Sequence, residues 1–289
     1  MEESQLEGEN AMSGHIGLRG KAWFQALTGQ NEAREHDDPA SVLTADALIG
    51  DEHALFLCVI PNPGSRFPCV RDGQVGLDEG YTLAHRVREA LNADKDKPKS
   101  QKRPIIAIVD VKSQAYGRRE ETAGLFLAAA ASSDAYASAR MAGHPVISFV
   151  VGHAFSGGFL THGYQANRIL ALDDAGVTIH AMHKEAAAKI TRRSVADLER
   201  LGQQIPPMSY NVQDYAKLGL LHQLLHVESP LEPNLSEVNE ARSAIIAAIV
   251  DARKGPPDLG VRRESRAAQK SRSAGNAARA LMEHQWKNA

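Results

Sequence analysis

The hydrophobic pattern of the chain alternates between short, continuously apolar runs and longer segments of helical periodicity. The runs ALFLCVI at 54–60, IIAIVDV at 105–111 and VISFVV at 146–151 are rich in β-branched residues. Such runs are typical of strands that are buried on both faces of a parallel sheet. With three weaker runs, the predicted strands are 54–60, 105–111, 146–151, 168–172, 177–182 and 220–227.

Segments with apolar residues at every third or fourth position lie between most of these runs and predict helices. Gly29 is expected to end the first helix, and Ser194, with Asp197 three residues later, is a typical helix start. The segment 119–141 is apolar and rich in alanine on several sides, so we expect that helix to be largely buried. The predicted helices are 21–29, 77–91, 119–141, 157–165, 183–190, 194–203, 211–218 and 236–254. This alternation of strands and helices predicts an α/β fold.

A strand–turn–helix unit occurs at least twice. The strands at 105–111 and 146–151 begin 41 residues apart, and each is followed by a turn of small residues and a helix. The first turn is QAYGRREE at 114–121, and the second is GHAFSGG at 152–158. Parallel strands open their turns on one edge of the sheet, where the ligand sites of α/β proteins lie. If both turns line one cavity, each supplies a backbone N–H, and two such donors aimed at one oxygen form an oxyanion hole.

Composition and charge narrow the possible function classes. The formal net charge of -2 over 289 residues argues against a general nucleic-acid binder. Cys58 and Cys69 have no metal or redox spacing and fit a reducing compartment. The acidic N-terminus lacks the apolar core of a signal peptide, and LFLAAAA at 125–131 is too short to span a bilayer. These features predict a soluble cytoplasmic protein without membrane or nucleic-acid partners.

Three regions of the chain differ in composition. Residues 1–19 are polar and aperiodic, which predicts a disordered extension. Residues 20–255 hold the predicted strands and helices of one domain, and residues 256–289 follow as a basic tail. From Val261 onwards the tail holds seven Lys or Arg against two Glu, a local charge of +5. Its predicted helix, at about 277–286, is either a solvated face or a docking surface for an acidic partner.

The glycine-rich turn at 152–158 matches several known motifs only in part. A P-loop would need Gly-Lys-Ser/Thr after the turn, and a dinucleotide site would need G-x-G-x-x-G; both are absent. The turn contains a relaxed serine-hydrolase elbow, in which Ser156 is followed by Asp173 and His180. However, no His-Gly-Gly loop precedes it, and His180 falls in a predicted strand. His180 and His183 have no third ligand at convincing spacing, so we predict no metal site.

Several side chains beside the two turns are candidate site residues. His153 is the titratable group nearest the second turn. It either donates a proton or contacts an anionic group, or it only hydrogen-bonds a loop carbonyl. Arg118 and Arg119 are helix-start charges that could alternatively hold a carboxylate or a phosphate. Tyr116 either lines a pocket or packs structurally.

Three long stretches match a known family. They are VDVKSQAYGRREE, GHPVISFVVGHAFSGGFLTHGYQANRILALDDAGVTIHAM and IPPMSYNVQDYAKLGLLHQLL, within a similarity that covers about residues 40–228. These stretches resemble the gamma subunits of biotin-independent malonate decarboxylases and, more distantly, the alpha halves of acyl-CoA carboxyltransferases. The resemblance implies a crotonase-like spiral of repeated ββα units with backbone oxyanion holes, to which we add a helical C-terminal segment.

The resemblance also implies a role in a multisubunit complex. There, a homologous beta subunit pairs with the gamma subunit near the active site. An acyl carrier protein presents malonate as a thioester on a phosphoribosyl-dephospho-CoA group, and an acyl transferase subunit exchanges acetyl for malonyl. Decarboxylation yields the acetyl thioester, with no biotin and no cofactor attached to the gamma chain.

Loss of CO2 from a malonyl thioester leaves an enolate, and the resemblance implies which groups hold it. The N–H groups of Gly117 and of Gly157 or Gly158 are expected to bind the enolate oxygen. His153 or a water is expected to reprotonate the carbon, although relatives lead us to expect lysine at this position. The residues expected around the substrate are Tyr116, Arg118, Phe155 and Ser156.

Two other functions stay open at this point. In one, the chain is a non-catalytic partner that shapes the beta-subunit site and docks the carrier protein. The lack of an unambiguous acid or base keeps this alternative open. In the other, the chain is the alpha-type subunit of a biotin-dependent acyl-CoA carboxyltransferase.

Overall fold

A computed structural model describes residues 17–30 and 37–288, and its centre is a seven-stranded mixed sheet. Most of the extension predicted at 1–19 therefore lies outside the described residues. The strands are β1 (Val42–Ile49), β2 (Glu52–Val59), β3 (Ile105–Val111), β4 (Val146–Phe155), β5 (Arg168–Leu172), β6 (Thr178–His180) and β7 (Gln223–Leu225). Their order is β1-β2-β3-β4-β5-β7, and β6 pairs with the last residues of β4.

Helices cover the sheet and form the C-terminal part of the chain. They are α1 (Leu18–Thr28), α2 (Leu77–Ala93), α3 (Arg118–Thr122), α4 (Leu125–Met141), α5 (Ser156–Thr161), α6 (Lys184–Thr191), α7 (Val195–Gln204), α8 (Val212–Lys217), α9 (Leu235–Lys254), α10 (Arg266–Ser271) and α11 (Ser273–Lys287). The predicted stop at Gly29 is confirmed, with φ of 71° at this residue. The predicted start of α7 is also confirmed, because the Ser194 hydroxyl accepts a hydrogen bond from the Asp197 N–H at 3.1 Å.

The hydrophobic pattern does not reveal the first strand. β1 pairs antiparallel with β2, from Val42 opposite Val59 to Ile49 opposite Glu52. Its sequence, VLTADALI, includes Thr, Asp and two alanines, so no continuous apolar run marks it. Gly50 has φ of 62°, the left-handed conformation that a tight hairpin requires. The hairpin therefore places a weakly marked segment directly on a strongly apolar neighbour.

The repeated strand–turn–helix unit is confirmed. β3 and β4 are parallel neighbours, in register from Ile105 opposite Val146 to Val109 opposite Val150. Helices α2 and α4 pack on each other, and a Cβ at Gly80 of α2 would lie 3.0 Å from the backbone of Ala128 in α4. Small residues at this crossing bring the two helix backbones together, which accounts for the alanine-rich sequence of α4.

The second turn is shorter than its sequence predicts. The strand predicted to end at residue 151 continues to Phe155, because residues 153–155 pair with β6. The predicted turn residue Gly152 thus lies within a strand. A Cβ at Gly152 would be 2.1 Å from the carboxylate of the buried Asp110. Glycine is needed there for space rather than for a turn, and this sequence-based prediction is wrong. The helix that follows is shortened to α5.

The helix predicted over 119–141 is also divided in two. Gly124 has φ of 91°, and this left-handed residue ends α3 and begins α4. The expectation that this helix is largely buried is wrong for one of its faces. Phe126, Leu127 and Met141 are 64%, 54% and 58% exposed, respectively.

Arginine side chains attach the C-terminal segment to the sheet domain. Arg140 donates to the carbonyl of Pro257, and Arg262 donates to the carbonyls of Tyr164 and Ala166, each at 2.7 Å. Burial lowers the pKa of Arg262 to about 10. The predicted tail helix is confirmed as α11, which projects with no buried residue. Its large exposed apolar residues are Leu281, Met282 and Trp286.

The main core lies between the sheet and the surrounding helices. The Trp23 ring of α1 packs edge-on against Phe149 of β4, with ring centroids 5.2 Å apart. Both side chains are fully buried. Within residues 17–30 and 37–288, no helix combines the length and the apolar character needed to cross a bilayer.

Candidate active site

The turns that follow β3 and β4 meet at the carboxyl edge of the sheet. Gly158, in the first turn of α5, lies against the backbone of Ser113. A Cβ at Gly158 would be only 2.5 Å from the Ser113 carbonyl carbon and oxygen, so glycine is what allows this contact. Val75 fixes the first turn on its other side. Its N–H donates to the Ser113 carbonyl at 2.9 Å, and its carbonyl accepts from the Ala115 N–H at 2.8 Å. The two turns therefore converge, as their equivalent positions predict.

The side chain of Gln114 connects the two turns. Its Oε1 accepts a hydrogen bond from the Gly157 N–H at 2.9 Å. Ser156 has φ of 54°, an uncommon conformation for a residue with a Cβ, and it turns the chain from β4 into α5. Strained backbone of this kind is concentrated at functional sites. The Gly157 N–H, which the sequence predicts as an oxyanion donor, already has an acceptor in this structure.

Gly117 lies at the start of α3 and provides a backbone donor without an acceptor. Its φ of -156° is extended and open to any residue. The position is restricted by space, because a Cβ at Gly117 would be 2.4 Å from Oε2 of Glu120. Glu120 is 2% exposed, and its Oε1 has no hydrogen-bond partner among the described residues. Among residues 17–30 and 37–288, no group accepts a hydrogen bond from the Gly117 N–H.

His153 makes its contacts with strands β3, β4 and β6. Its backbone N–H donates to Asp110 at 3.0 Å, and its Nδ1 lies 2.8 Å from the Thr178 hydroxyl. The ring stacks on Phe155 with centroids 5.4 Å apart. Burial lowers the pKa of His153 from 6.5 to about 4, so the ring is neutral at pH 7. The structure thus gives His153 a hydrogen-bonded, packed environment and no imidazolium proton.

The four residues expected around the substrate are placed differently from one another. Ser156 is half-buried beside the second turn, whereas Phe155 is only 6% exposed and lies 4.5 Å from His183 between ring centroids. Tyr116 is 54% exposed next to Gly117. Arg118 is also exposed, and its guanidinium forms no ion pair with any described residue. Ser156 lines the second turn, Tyr116 and Arg118 are exposed on the first turn, and Phe155 is buried among aromatic side chains.

A cavity of about 340 Å³ opens beside the second turn. Ser156 and Gly157 form one wall, apolar residues such as Leu160 and Ile179 line much of the rest, and Arg272 contributes a cation. The Arg272 Nε donates to a backbone carbonyl at 2.7 Å, which fixes the guanidinium. Sequence reasoning missed Arg272, because it lies in the tail, where no motif points to the site. It also missed Gln114 as a functional residue, although its place directly after a buried strand in the repeated turn is a usable signal.

The serine-hydrolase alternative is not supported by the arrangement of its three residues. His180 Nδ1 lies 2.9 Å from the carbonyl of Met182, and Asp173 accepts a hydrogen bond from Gln213. Asp173 and His180 are thus hydrogen-bonded to other groups, and among the described residues neither forms a hydrogen bond with Ser156. Over the described ranges, no cluster of three or more His, Cys, Asp or Glu is placed to hold a metal ion.

Comparison with known proteins places the chain in a family. The family model described as malonate decarboxylase gamma subunit matches residues 70–282, well over half of the chain. The chain belongs to this family. It is also 33% identical over 244 residues to the malonyl-S-ACP:biotin-protein carboxyltransferase MADD of Malonomonas rubra, with 82% of each chain covered.

Solved structures extend the comparison to the fold. The chain resembles one in a Pseudomonas malonate decarboxylase hetero-tetramer in complex with coenzyme A, with 49% identity and a TM-score of 0.86. It also resembles a chain of the Pseudomonas MdcD-MdcE hetero-dimer, with 47% identity and a TM-score of 0.84. Both matches cover 93% of this chain and 99% of the other.

A more distant likeness concerns the fold alone. Transcarboxylase 12S is 17% identical with a TM-score of 0.55, over 75% of this chain and 36% of that one. The predicted resemblance to malonate decarboxylase gamma subunits and the crotonase-like α/β fold are therefore confirmed.

Proposed function

We propose that this chain, together with a homologous beta subunit, decarboxylates a malonyl thioester presented by an acyl carrier protein. The proposal rests on the convergence of the two turns. On the first turn, no described residue accepts a hydrogen bond from the Gly117 N–H. The side chain of Gln114, on the same turn, is hydrogen-bonded to the Gly157 N–H on the second turn. Fixed donors at such a site suit an oxygen that gains negative charge during a reaction.

The proposed chemistry needs no nucleophile. The bond between the α-carbon and the carboxylate carbon of the malonyl group breaks, CO2 leaves, and the electron pair forms an enolate. Its negative charge lies on the thioester oxygen, where one well-placed donor lowers the barrier by about 3 kcal/mol. A proton then reaches the α-carbon and gives the acetyl thioester. Because His153 is neutral at pH 7, we assign this proton to water rather than to an imidazolium.

An exposed apolar face beside the turns supports a partner subunit. Phe126, Leu127 and Met141 of α4 and Leu160 of α5 are each more than half exposed. The Ser133 hydroxyl donates to the Leu160 carbonyl at 3.0 Å and holds the two helices side by side. Large apolar side chains that are exposed on adjoining helices are typical of an interaction site. The beta subunit is the proposed occupant, and the carrier protein and an acyl transferase subunit complete the proposed cycle.

The experiment that tests this function removes one donor without adding an atom. An amide-to-ester replacement at residue 117, introduced by semisynthesis, deletes the Gly117 N–H. In the complex reconstituted with beta subunit and malonyl-carrier, we expect kcat for CO2 release to fall about 10²-fold, while the KM changes little. The matched control is the same replacement at Gly275 on α11, a helix outside the two turns with no buried residue. Unchanged turnover in an intact complex would instead favour the non-catalytic partner role.

A second candidate function comes from one specific relative. The name of MADD describes transfer to a biotin protein, so a biotin-dependent carboxyltransferase is the alternative to test. The higher identity, 49%, is to a chain of a malonate decarboxylase. We therefore expect CO2 release by a biotin-free, avidin-treated complex to equal that of the untreated complex. Loss of activity on avidin treatment would assign the chain to the biotin-dependent class.

A further inference from the structure

The orientation of the Gln114 carboxamide follows from its partner. The group facing it is a backbone N–H at 2.9 Å, which can only donate, so the facing atom must be the Gln114 oxygen. The amide nitrogen then points away from Gly157. It donates to no residue within the described chain, and it is not among the buried polar atoms without a partner. Gln114 is half-buried, so its NH2 group is available at the surface of the site.

The surrounding backbone holds this side chain in place. The backbone on either side of Gln114 is tied to Val75 through Ser113 and Ala115. On the opposite side, a Cβ at Gly157 would be 3.0 Å from Cδ and Oε1 of Gln114. The carboxamide therefore packs closely on Gly157, where an added Cβ would require the Gln114 side chain to shift by a few tenths of an ångström. The left-handed Ser156 sets the direction of the Gly157 N–H, so the strained turn positions the amide plane.

We propose that the NH2 group of Gln114 is a side-chain donor to the enolate oxygen, acting with the Gly117 N–H. The inference rests on the proposed decarboxylation and assigns its second donor. In this role Gly157 is a positioning residue, because its N–H holds Oε1 and leaves Nε2 facing the substrate. Donation to Oε1 also polarises the amide and strengthens the Nε2 donors. The backbone N–H of Gly157, which the sequence suggests as a direct donor, acts through Gln114.

Two substitutions separate this role from simple packing. Gln114→Met keeps the length of the side chain and removes the donor. Gln114→Glu keeps the shape and the acceptor for Gly157 but places an oxygen where the donor stood. In the reconstituted complex with malonyl-carrier, we expect both variants to lower kcat about 10²- to 10³-fold with little change in KM. Gln269→Glu, at an exposed position of α10, is the matched control and should retain full activity.

The pH profile of Gln114→Glu supplies a readout that a structural role would not give. A protonated glutamate regains an O–H donor, so activity relative to wild type should recover as the pH falls through the carboxyl pKa. Undiminished kcat in Gln114→Met would overturn the inference, because the freed Gly157 N–H would then serve directly. If only the ester at residue 117 lowers turnover, the proposed function stands and this inference fails. If neither change lowers turnover, the proposed function fails as well.

Discussion

Replacement of His153 by asparagine should flatten the dependence of folding stability on pH. In the folded chain, burial holds the pKa of His153 at about 4, against 6.5 for an unperturbed histidine. The unfolded chain therefore binds a proton between these two pH values that the folded chain does not bind. Stability must fall as the pH falls through this window, and the His153 contribution stops changing below about pH 4. From about pH 7.5 to about pH 5, the expected loss from His153 is about 2 kcal/mol.

The assay is urea unfolding of the full chain at several pH values in this range. Asparagine keeps a polar atom near the position of Nδ1, where it can meet the Thr178 hydroxyl, and it does not titrate. Between about pH 7.5 and about pH 5, we expect the folding stability of His153→Asn to fall by about 2 kcal/mol less than that of the wild type. Thr178→Val is the matched control, because it removes the partner but leaves the histidine to titrate. If His153→Asn shows the same pH dependence as wild type, His153 is not buried in neutral form and the argument against an imidazolium donor fails.

Three further substitutions test the packing. Gly158→Ala should lower the free energy of unfolding by about 1–3 kcal/mol, because its Cβ would press on the Ser113 carbonyl. Calorimetry should show a lower Tm, whereas Gly275→Ala, in open space, should show no such loss. Arg262→Met removes two hydrogen bonds that hold the tail, so limited proteolysis should cut the tail about tenfold faster. An unchanged rate of cleavage would show that other contacts hold the tail. Ser194→Ala removes the cap of α7 and should lower the free energy of unfolding by about 1 kcal/mol in urea; no change would contradict the observed capping bond.

The sequence pattern predicts the parts of the fold whose information is local. β3 and the first part of β4 are largely apolar runs, and the similar turns and helices that follow them suffice to predict a parallel pair and two facing turns. β1 cannot be found in this way, because its Thr, Asp and Ala residues form a strand only when β2 lies beside them. Gly152 is misinterpreted for a related reason. A glycine in the sequence does not show whether it serves a turn or makes room for a carboxylate such as Asp110.

In the candidate site, too, local features are predictable from the sequence and contacts between distant segments are not. The location of Gly117 and Gly158 is predictable, because each lies in a turn of the repeated strand–turn–helix unit. The bond between Gln114 and Gly157 joins residues 43 positions apart, and its direction depends on the strained Ser156. Arg272 reaches the cavity from the tail. Such contacts depend on how separate elements pack, and the hydrophobic pattern carries no information about them.

A single-turnover measurement shows whether the turn following β3 stabilises an enolate. The complex is loaded with malonyl-carrier, and the rate of CO2 release is compared for the wild-type chain and the chain with an ester at residue 117. The affinity for malonyl-carrier is measured on the same samples. We expect a rate about 10²-fold lower for the ester-containing chain, with nearly unchanged affinity. An equal rate, or a lower affinity with an equal rate, would show that this turn only shapes or docks and that the chemistry lies elsewhere.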